Sequence, residues 1–256
     1  MNISEQWLRE WVNPDTDSDG LAHQLTMAGL EVDAVEPVAA EFSKVLVGEV
    51  LSTEAHPDAD KLTLCRVDIG SRDRLQIVCG APNARAGMKA AVALVGASLP
   101  GGLKIKAAKI RGVRSQGMLC SARELGLSEE HEGILDLDRG APVGESFRDW
   151  MHLDDHVIKF DLTPNRGDCF SVAGVARDLA AINRLPLNPP AIEPVANEND
   201  LTFPVDVIAK EACPSFSSRV VGNIQWQDSS PLWMREKIRR SGLRPINPVV
   251  DVTNYV

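Results

Sequence analysis

The stretch from His56 to Leu125 limits what this chain can fold into more than any other part of it. It opens with HPDADKLTLCRVDIG, runs through LQIVCGAPNARAGMKAAVALVGASLP and closes with LKIKAAKIRGVRSQGMLCSARELGL. Short alternating segments are cut by turns: Leu62 to Val67 before Asp68-Ile69-Gly70, Leu75 to Cys79 before Gly80-Ala81-Pro82-Asn83, and Ala90 to Val95 before Gly96. Segments of that length, spaced by Gly, Pro and Asn, predict a small closed barrel. Leu103 to Ile110 reads as a further strand, with Lys104 and Lys106 on one face and Leu103 and Ile105 on the other. Lys109, Arg111 and Arg114 extend the positive charge, and no carboxylate occurs from Gly102 to Gln116.

Two readings of that strip are open from the residues alone. It is either a charged edge that discourages strand-to-strand aggregation, or a surface for a phosphate backbone, where each Lys or Arg contact releases counterions. Taken together, HPDADKL, CGAPNARAG and KIRGVRSQGMLCS resemble the tRNA-binding oligonucleotide/oligosaccharide-binding (OB) fold of bacterial phenylalanyl-tRNA synthetase beta subunits, a methionyl-tRNA synthetase appendix and free-standing tRNA-binding proteins. The resemblance covers residues 41–149. It makes Lys104, Lys106, Lys109, Arg111 and Arg114 candidate tRNA contacts. Lys61 joins them, although it is equally placed to pair with Asp58 or Asp60.

The formal net charge of −9 argues against a generally basic nucleic-acid binder, so any RNA contact must come from a local patch or a partner. Cys65, Cys79, Cys120, Cys169 and Cys213 are scattered without a CxxC pair or a nearby His at ligand spacing, and read as small core residues in a reducing compartment. No apolar run reaches membrane-spanning length and the N-terminus lacks a signal-peptide pattern, which together predict a cytoplasmic protein. His56, beside Pro57 and without a partner at triad or metal spacing, reads as a turn-shaping residue.

Ser4 caps a predicted helix over Glu5 to Val12, with Trp7, Leu8, Trp11 and Val12 as its core stripe. A second helix follows Asp17-Ser18-Asp19, with Leu21 and Leu25 inward and Gly29 as its stop. Leu30 to Ala34 is a strand. Lys44 to Leu51 opens the barrel, with Gly48 as a bend or bulge. Further on, Val157 to Leu162 is a strand, Thr163 to Asp168 a turn, and Asp168 the expected cap of a helix carrying Val172, Val175, Ala176, Leu179 and Ile182.

The block FDLTPNRGDCFSVAGVARDLAAI resembles the segment with which the beta subunit resumes its N-terminal domain after the barrel. On that resemblance residues 1–40 and 150–190 form one mixed domain, with the OB barrel of residues 41–149 inserted into it. Residues 191–200 are a Pro-rich linker. Beyond it FPVDVIA and the segment after CPSF read as strands, Ser230-Pro231 starts a basic helix over Trp233 to Arg240, and VVDVTNYV reads as strand-like and unfinished at Val256. SGLRPINPVVDVTNYV resembles the start of the beta subunit's editing domain, which hydrolyses tyrosine mischarged onto phenylalanine tRNA. That resemblance puts Arg244 at the editing pocket, where a guanidinium suits phosphate or ribose; the plainer reading is a surface turn residue.

The expected architecture is therefore α+β and multidomain: an OB barrel inserted into a small mixed domain, then part of an α/β editing domain. The implied function is that of a phenylalanine–tRNA ligase beta subunit in an alpha2-beta2 assembly, with the alpha subunit and tRNA(Phe) as partners. The resemblance places aminoacylation on the alpha subunit, so ATP and Mg²⁺ belong to the complete enzyme, with no cofactor or metal on this chain. A stand-alone tRNA-binding module and a purely structural docking barrel are the alternatives.

Overall fold

The computed structural model describes residues 1–129, 131–224 and 230–256. The chain enters through β1 (Asn2–Ser4) and turns directly into α1 (Glu5–Trp11). Ser4 makes that turn: its hydroxyl accepts from the Trp7 amide at 3.1 Å, satisfying a donor the helix cannot. Asp17 does the same for α2 (Ser18–Met27), accepting from the Gly20 amide at 2.9 Å. Gly29, at φ 86°, reverses the chain into β2 (Glu31–Pro37).

The barrel strands follow: β3 (Val45–Ala55), β4 (Thr63–Asp68), β5 (Leu75–Cys79), β6 (Lys89–Leu94), β7 (Ser98–Leu99), β8 (Leu103–Lys104), β9 (Ala108–Ile110), β10 (Val113–Ser115), β11 (Gly117–Leu119) and β12 (Asp136–Leu137). The short helix α3 (Phe147–Trp150) leads to β13 (His156–Asp161) and α4 (Val172–Asn183). Residues 185–224 carry no helix or strand, and α5 (Leu232–Arg240) and α6 (Pro248–Tyr255) follow.

β13 lies between β1 and β2, antiparallel to both, so one small sheet joins chain from before and after the barrel. Its apolar face and the helices share a core of Ile3, Leu8, Leu21, Leu25, Leu30, Ile158, Phe160, Val175 and Leu179. Each large side chain so buried contributes about 1.5–3 kcal/mol.

The main barrel sheet runs β11-β6-β3-β4-β5, with β12 also on β6. Its free edges meet where the Gln116 amide donates to the Gln76 carbonyl at 2.8 Å and the Val78 amide to Ser115 Oγ at 3.1 Å. β6 is buried on both faces. Ala90 and Val92 belong to the core with Val50, Val67 and Ile77, while Ala91 and Ala93 belong to a second core with Phe147, Leu153 and Leu232 of α5. Small residues at these positions let two layers approach one strand.

Several expectations are corrected. Leu103 to Ile110 is not one strand: Ile105 turns inward, its amide bonded to the Ala97 carbonyl at 2.9 Å, and this splits the segment into β8 and β9. Leu103 is exposed. The irregularity in β3 falls between Val50 and Ser52; Gly48 is instead a close approach, where a Cβ would meet Val92 at 2.5 Å. Ser171, not Asp168, caps α4 by accepting from the Gly174 amide at 3.0 Å. Trp7 leaves the core stripe of α1, stacking on Tyr255 at 5.4 Å between centroids.

VVDVTNYV is helical as α6. Asn247 accepts from the Val249 and Val250 amides, each at 3.1 Å, with Pro248 at the first helical position, and this cap overrides the poor helix propensity of three valines. FPVDVIA and the segment after CPSF form no strand; Phe203, Ile208, Phe216 and Val221 are exposed, and no strand partner lies against them among the described residues.

Candidate nucleic-acid interface

β9 and β10 form a hairpin whose two-residue turn is Arg111-Gly112. Both have positive φ, 47° and 84°, the type I′ geometry that matches strand twist. Asn, Asp or Gly normally fills the first position, so an arginine there is held in a strained conformation at the tip. Lys109 and Arg114 are directly paired across the hairpin, like charges that oppose strand pairing. Among the described residues none of Lys61, Lys104, Lys106, Lys109, Arg111 and Arg114 is in an ion pair, and all are exposed. Unneutralised like charges gathered on one short hairpin are a surface suited to an anionic ligand.

The hairpin is held at its turn and at its base. His56 is buried; its Nδ1 accepts from the Asp58 amide at 3.1 Å, so the proton is on Nε2, which donates to the Ile110 carbonyl at 3.1 Å. This confirms a turn-shaping role and adds a second one, for it ties the loop bearing Lys61 to the basic hairpin. At the base, Gln76 Nε2 donates to the Arg114 carbonyl at 2.8 Å. Lys104 and Lys106 flank the buried Ile105 and stay exposed.

Between β5 and the segment from Lys104 to Ile110 lies a cleft of about 620 Å³. Its far wall, around Ile134, is clamped by Asn83, which accepts from the Ile134 amide at 2.9 Å and donates to its carbonyl at 2.8 Å. CGAPNARAG thus builds a wall rather than a phosphate loop. Glu124 went unnoticed in the sequence; its Oε2 accepts from the Ser121 amide (2.6 Å) and hydroxyl (2.8 Å). Cys79, read from the sequence as a small core residue, is buried and also lines the cleft. A hydrogen bond from the Cys65 thiol pulls Cys79 below the usual thiol range, while burial pushes Cys120 up to about 12. The Ser121-x-x-Glu124 spacing is that of a capping box, and the Glu124 amide in turn donates to Ser121 Oγ at 3.3 Å; this local pattern signals a turn, whereas the cleft around it is assembled from segments distant in the chain. All five cysteines are free, and Cys213 is only partly buried.

Arg244 is exposed in the loop between α5 and α6, apart from the hairpin, and makes no ion pair among the described residues. The basic helix α5 does not present all its cations to solvent. Arg240 is buried against Asp155, Arg239 pairs with Glu236, and Lys237 pairs with Glu10 and lies 5.1 Å over the Trp7 ring.

Among the described residues, Asp168, Cys169 and Asp178 are close enough to share a metal ion. Arg166 already lies among them: it bonds Asp178, approaches Cys169 Sγ at 2.9 Å and Asp168 at 3.4 Å, and holds the Asp168 carboxyl below its usual range. The guanidinium occupies the place a cation would take. These residues do not fit Mg²⁺ or an ATP–Mg²⁺ complex.

The family model "Putative tRNA binding domain" matches residues 45–146, and the model "B3/4 domain" matches residues 212–256. The phenylalanine–tRNA ligase beta subunit of Pectobacterium atrosepticum is 58% identical over 256 residues, all of this chain and 32% of that protein. The beta subunit of Coxiella burnetii is 55% identical over the same shares. A MetRS-related protein from Pyrococcus horikoshii is a looser structural likeness, with a TM-score of 0.30, 27% identity, and coverage of 39% of this chain and 84% of that one. The chain spans about a third of the length of the curated relatives it matches. Identity at this level along all 256 residues, with both domain matches in one chain, shows that the chain corresponds throughout to an N-terminal stretch of phenylalanine–tRNA ligase beta subunits.

Proposed function

We propose that this chain supplies tRNA binding and assembly architecture to a cytoplasmic phenylalanine–tRNA ligase, pairing with an alpha subunit that carries the aminoacylation site and uses ATP and Mg²⁺. Residues 1–40 and 150–190 act as one domain, the OB barrel of 41–149 is inserted in it, 191–200 is a linker, and 201–256 belongs to an α/β editing domain in which Arg244 faces mischarged tRNA. Editing answers a physical need: a pocket that accepts phenylalanine discriminates weakly against an added hydroxyl.

The single observation that carries the tRNA reading is the strained, unpaired basic hairpin on a barrel matched by a tRNA-binding family. A stand-alone module is disfavoured because the match to the ligase subunits extends over the whole chain, outside the barrel as well as within it.

The test is binding of phenylalanine tRNA across a salt series, wild type against a Lys104→Ala, Lys106→Ala, Lys109→Ala triple variant. Loss of three phosphate contacts flattens the log–log salt slope by about two to three. An unchanged slope, or no binding by wild type, favours the docking-barrel alternative.

A further inference from the structure

The cleft beside the hairpin differs in character from the hairpin itself. Its walls include the apolar Val78, Ile105 and Met118, and its volume of about 620 Å³ lies within the range of small-molecule sites. Lys104 and Lys106 stand at it, but so do Glu124 and Glu132. A groove built only for phosphates would gain nothing from carboxylates, which repel them.

Glu124 is also oriented. Ser121 holds Oε2 with two hydrogen bonds, and Oε1 makes no bond to the protein among the described residues. A carboxylate of this kind accepts only, and each oxygen has two lone-pair directions. Of the four RNA bases, guanine alone presents two adjacent donors, N1–H and the N2 amino group, on its Watson–Crick edge. Adenine and cytosine set a ring-nitrogen acceptor beside their amino group, and uracil flanks its single N–H with carbonyls, so each of these meets the carboxylate with a repulsive neighbour.

We propose that this cleft takes an unstacked guanine from a single-stranded part of the bound RNA, with its faces against Val78, Ile105 and Met118, its Watson–Crick edge on Glu124, and its flanking phosphates on Lys104 and Lys106. This rests on the tRNA-binding reading of the barrel and adds base selectivity to it. Unpaired bases are where proteins read RNA sequence, since their edges are free and can be splayed into a pocket.

Eight-nucleotide RNAs test it: oligouridine, and oligouridine with one central guanosine, cytidine or adenosine, titrated onto the full unsubstituted chain at one fixed salt concentration. The guanosine oligomer is expected to bind about tenfold tighter than the other three, the scale of one well-made base contact. Glu124→Gln, which keeps an acceptor for Ser121, is expected to flatten that preference. Equal binding by all four, or a preference for cytidine or adenosine, overturns the guanine site. If none of the four binds to a chain that binds tRNA in the salt series, the base site alone is overturned; if tRNA fails as well, the parent reading falls with it.

Discussion

Arg240 of α5 places Nη1 2.9 Å from Asp155 Oδ2, and both side chains are buried. The Ser4 hydroxyl donates to the same oxygen at 2.6 Å, while Asp155 Oδ1 accepts from the amides of Gln6 at 2.9 Å and His156 at 2.8 Å. Arg240 Nη2 reaches the Met151 carbonyl at 2.8 Å. One carboxylate therefore joins the N-terminal cap of α1, the start of β13 and a helix more than eighty residues further along the chain, fixing α5 against both the small sheet and the barrel's outer core.

Removing one member of a buried pair leaves the other charge uncompensated, at a cost of about 3–5 kcal/mol. Asp155 would keep three donors, so Arg240→Leu is expected near the lower end, about 3 kcal/mol. Urea unfolding followed by tryptophan fluorescence reads it, because Trp7 and Trp233 lie at this junction. A loss below about 1 kcal/mol would mean that α5 docks by its apolar face alone.

The same junction carries a pH dependence. Burial acts to raise the Glu236 carboxyl, but the hydrogen bond and charge of Arg239, with those of Arg240, outweigh it and the pKa is lowered. A depressed carboxylate contributes stability that is complete above its unfolded value of about 4.3 and is lost as pH falls through the folded value. Glu236→Gln should therefore be less stable than wild type at pH 7, with the gap closing on acidification toward pH 3. A gap that stays constant over that interval would exclude the charge as its source.

The elements visible in the sequence were those whose signal is local. Ser4 and Asp17 announced their helices, and Gly29 its turn, because caps and φ > 0 positions act within a few residues. What stayed hidden depended on distant partners. The alternation of Leu103 to Ile110 favoured one strand until Ile105 was pinned to Ala97. The valines of α6 read as strand because the helix is decided by Asn247 and by Asp251, whose buried carboxylate accepts from Ser230 Oγ and the Ile246 amide. At the candidate site the basic residues were legible as a charge run, whereas the His56–Ile110 bond and the cleft that Glu124 faces exist only once the barrel closes.

Arg111 separates stability from function. Replacing it with Gly removes the cost of an L-residue at φ 47°, offset in part by glycine's larger conformational entropy in the unfolded chain. Arg111→Gly is expected to stabilise the barrel by about 0.5–1 kcal/mol while weakening tRNA binding and lowering its salt slope by about one. Chemical denaturation and tRNA titration on the same preparation check both signs. A variant that binds tRNA as wild type does would place the hairpin tip off the RNA.

Cys79 offers a chemical report on the cleft. The thiolate is the reactive form, and the hydrogen bond from Cys65 favours it at Cys79, while burial holds Cys120 at about 12. Among the barrel thiols, Cys79 also lines the cleft. Iodoacetamide near pH 7.5 is expected to label Cys79 well before Cys65 or Cys120, with the partly buried Cys213 as a reference outside the barrel. Cys65→Ala removes the donor and should slow labelling of Cys79, whereas RNA seated in the cleft should protect it in the unsubstituted chain. Peptide mapping by mass spectrometry resolves each site. Earlier labelling of Cys120, or no slowing in Cys65→Ala, would show that access rather than the neighbouring thiol sets the reactivity.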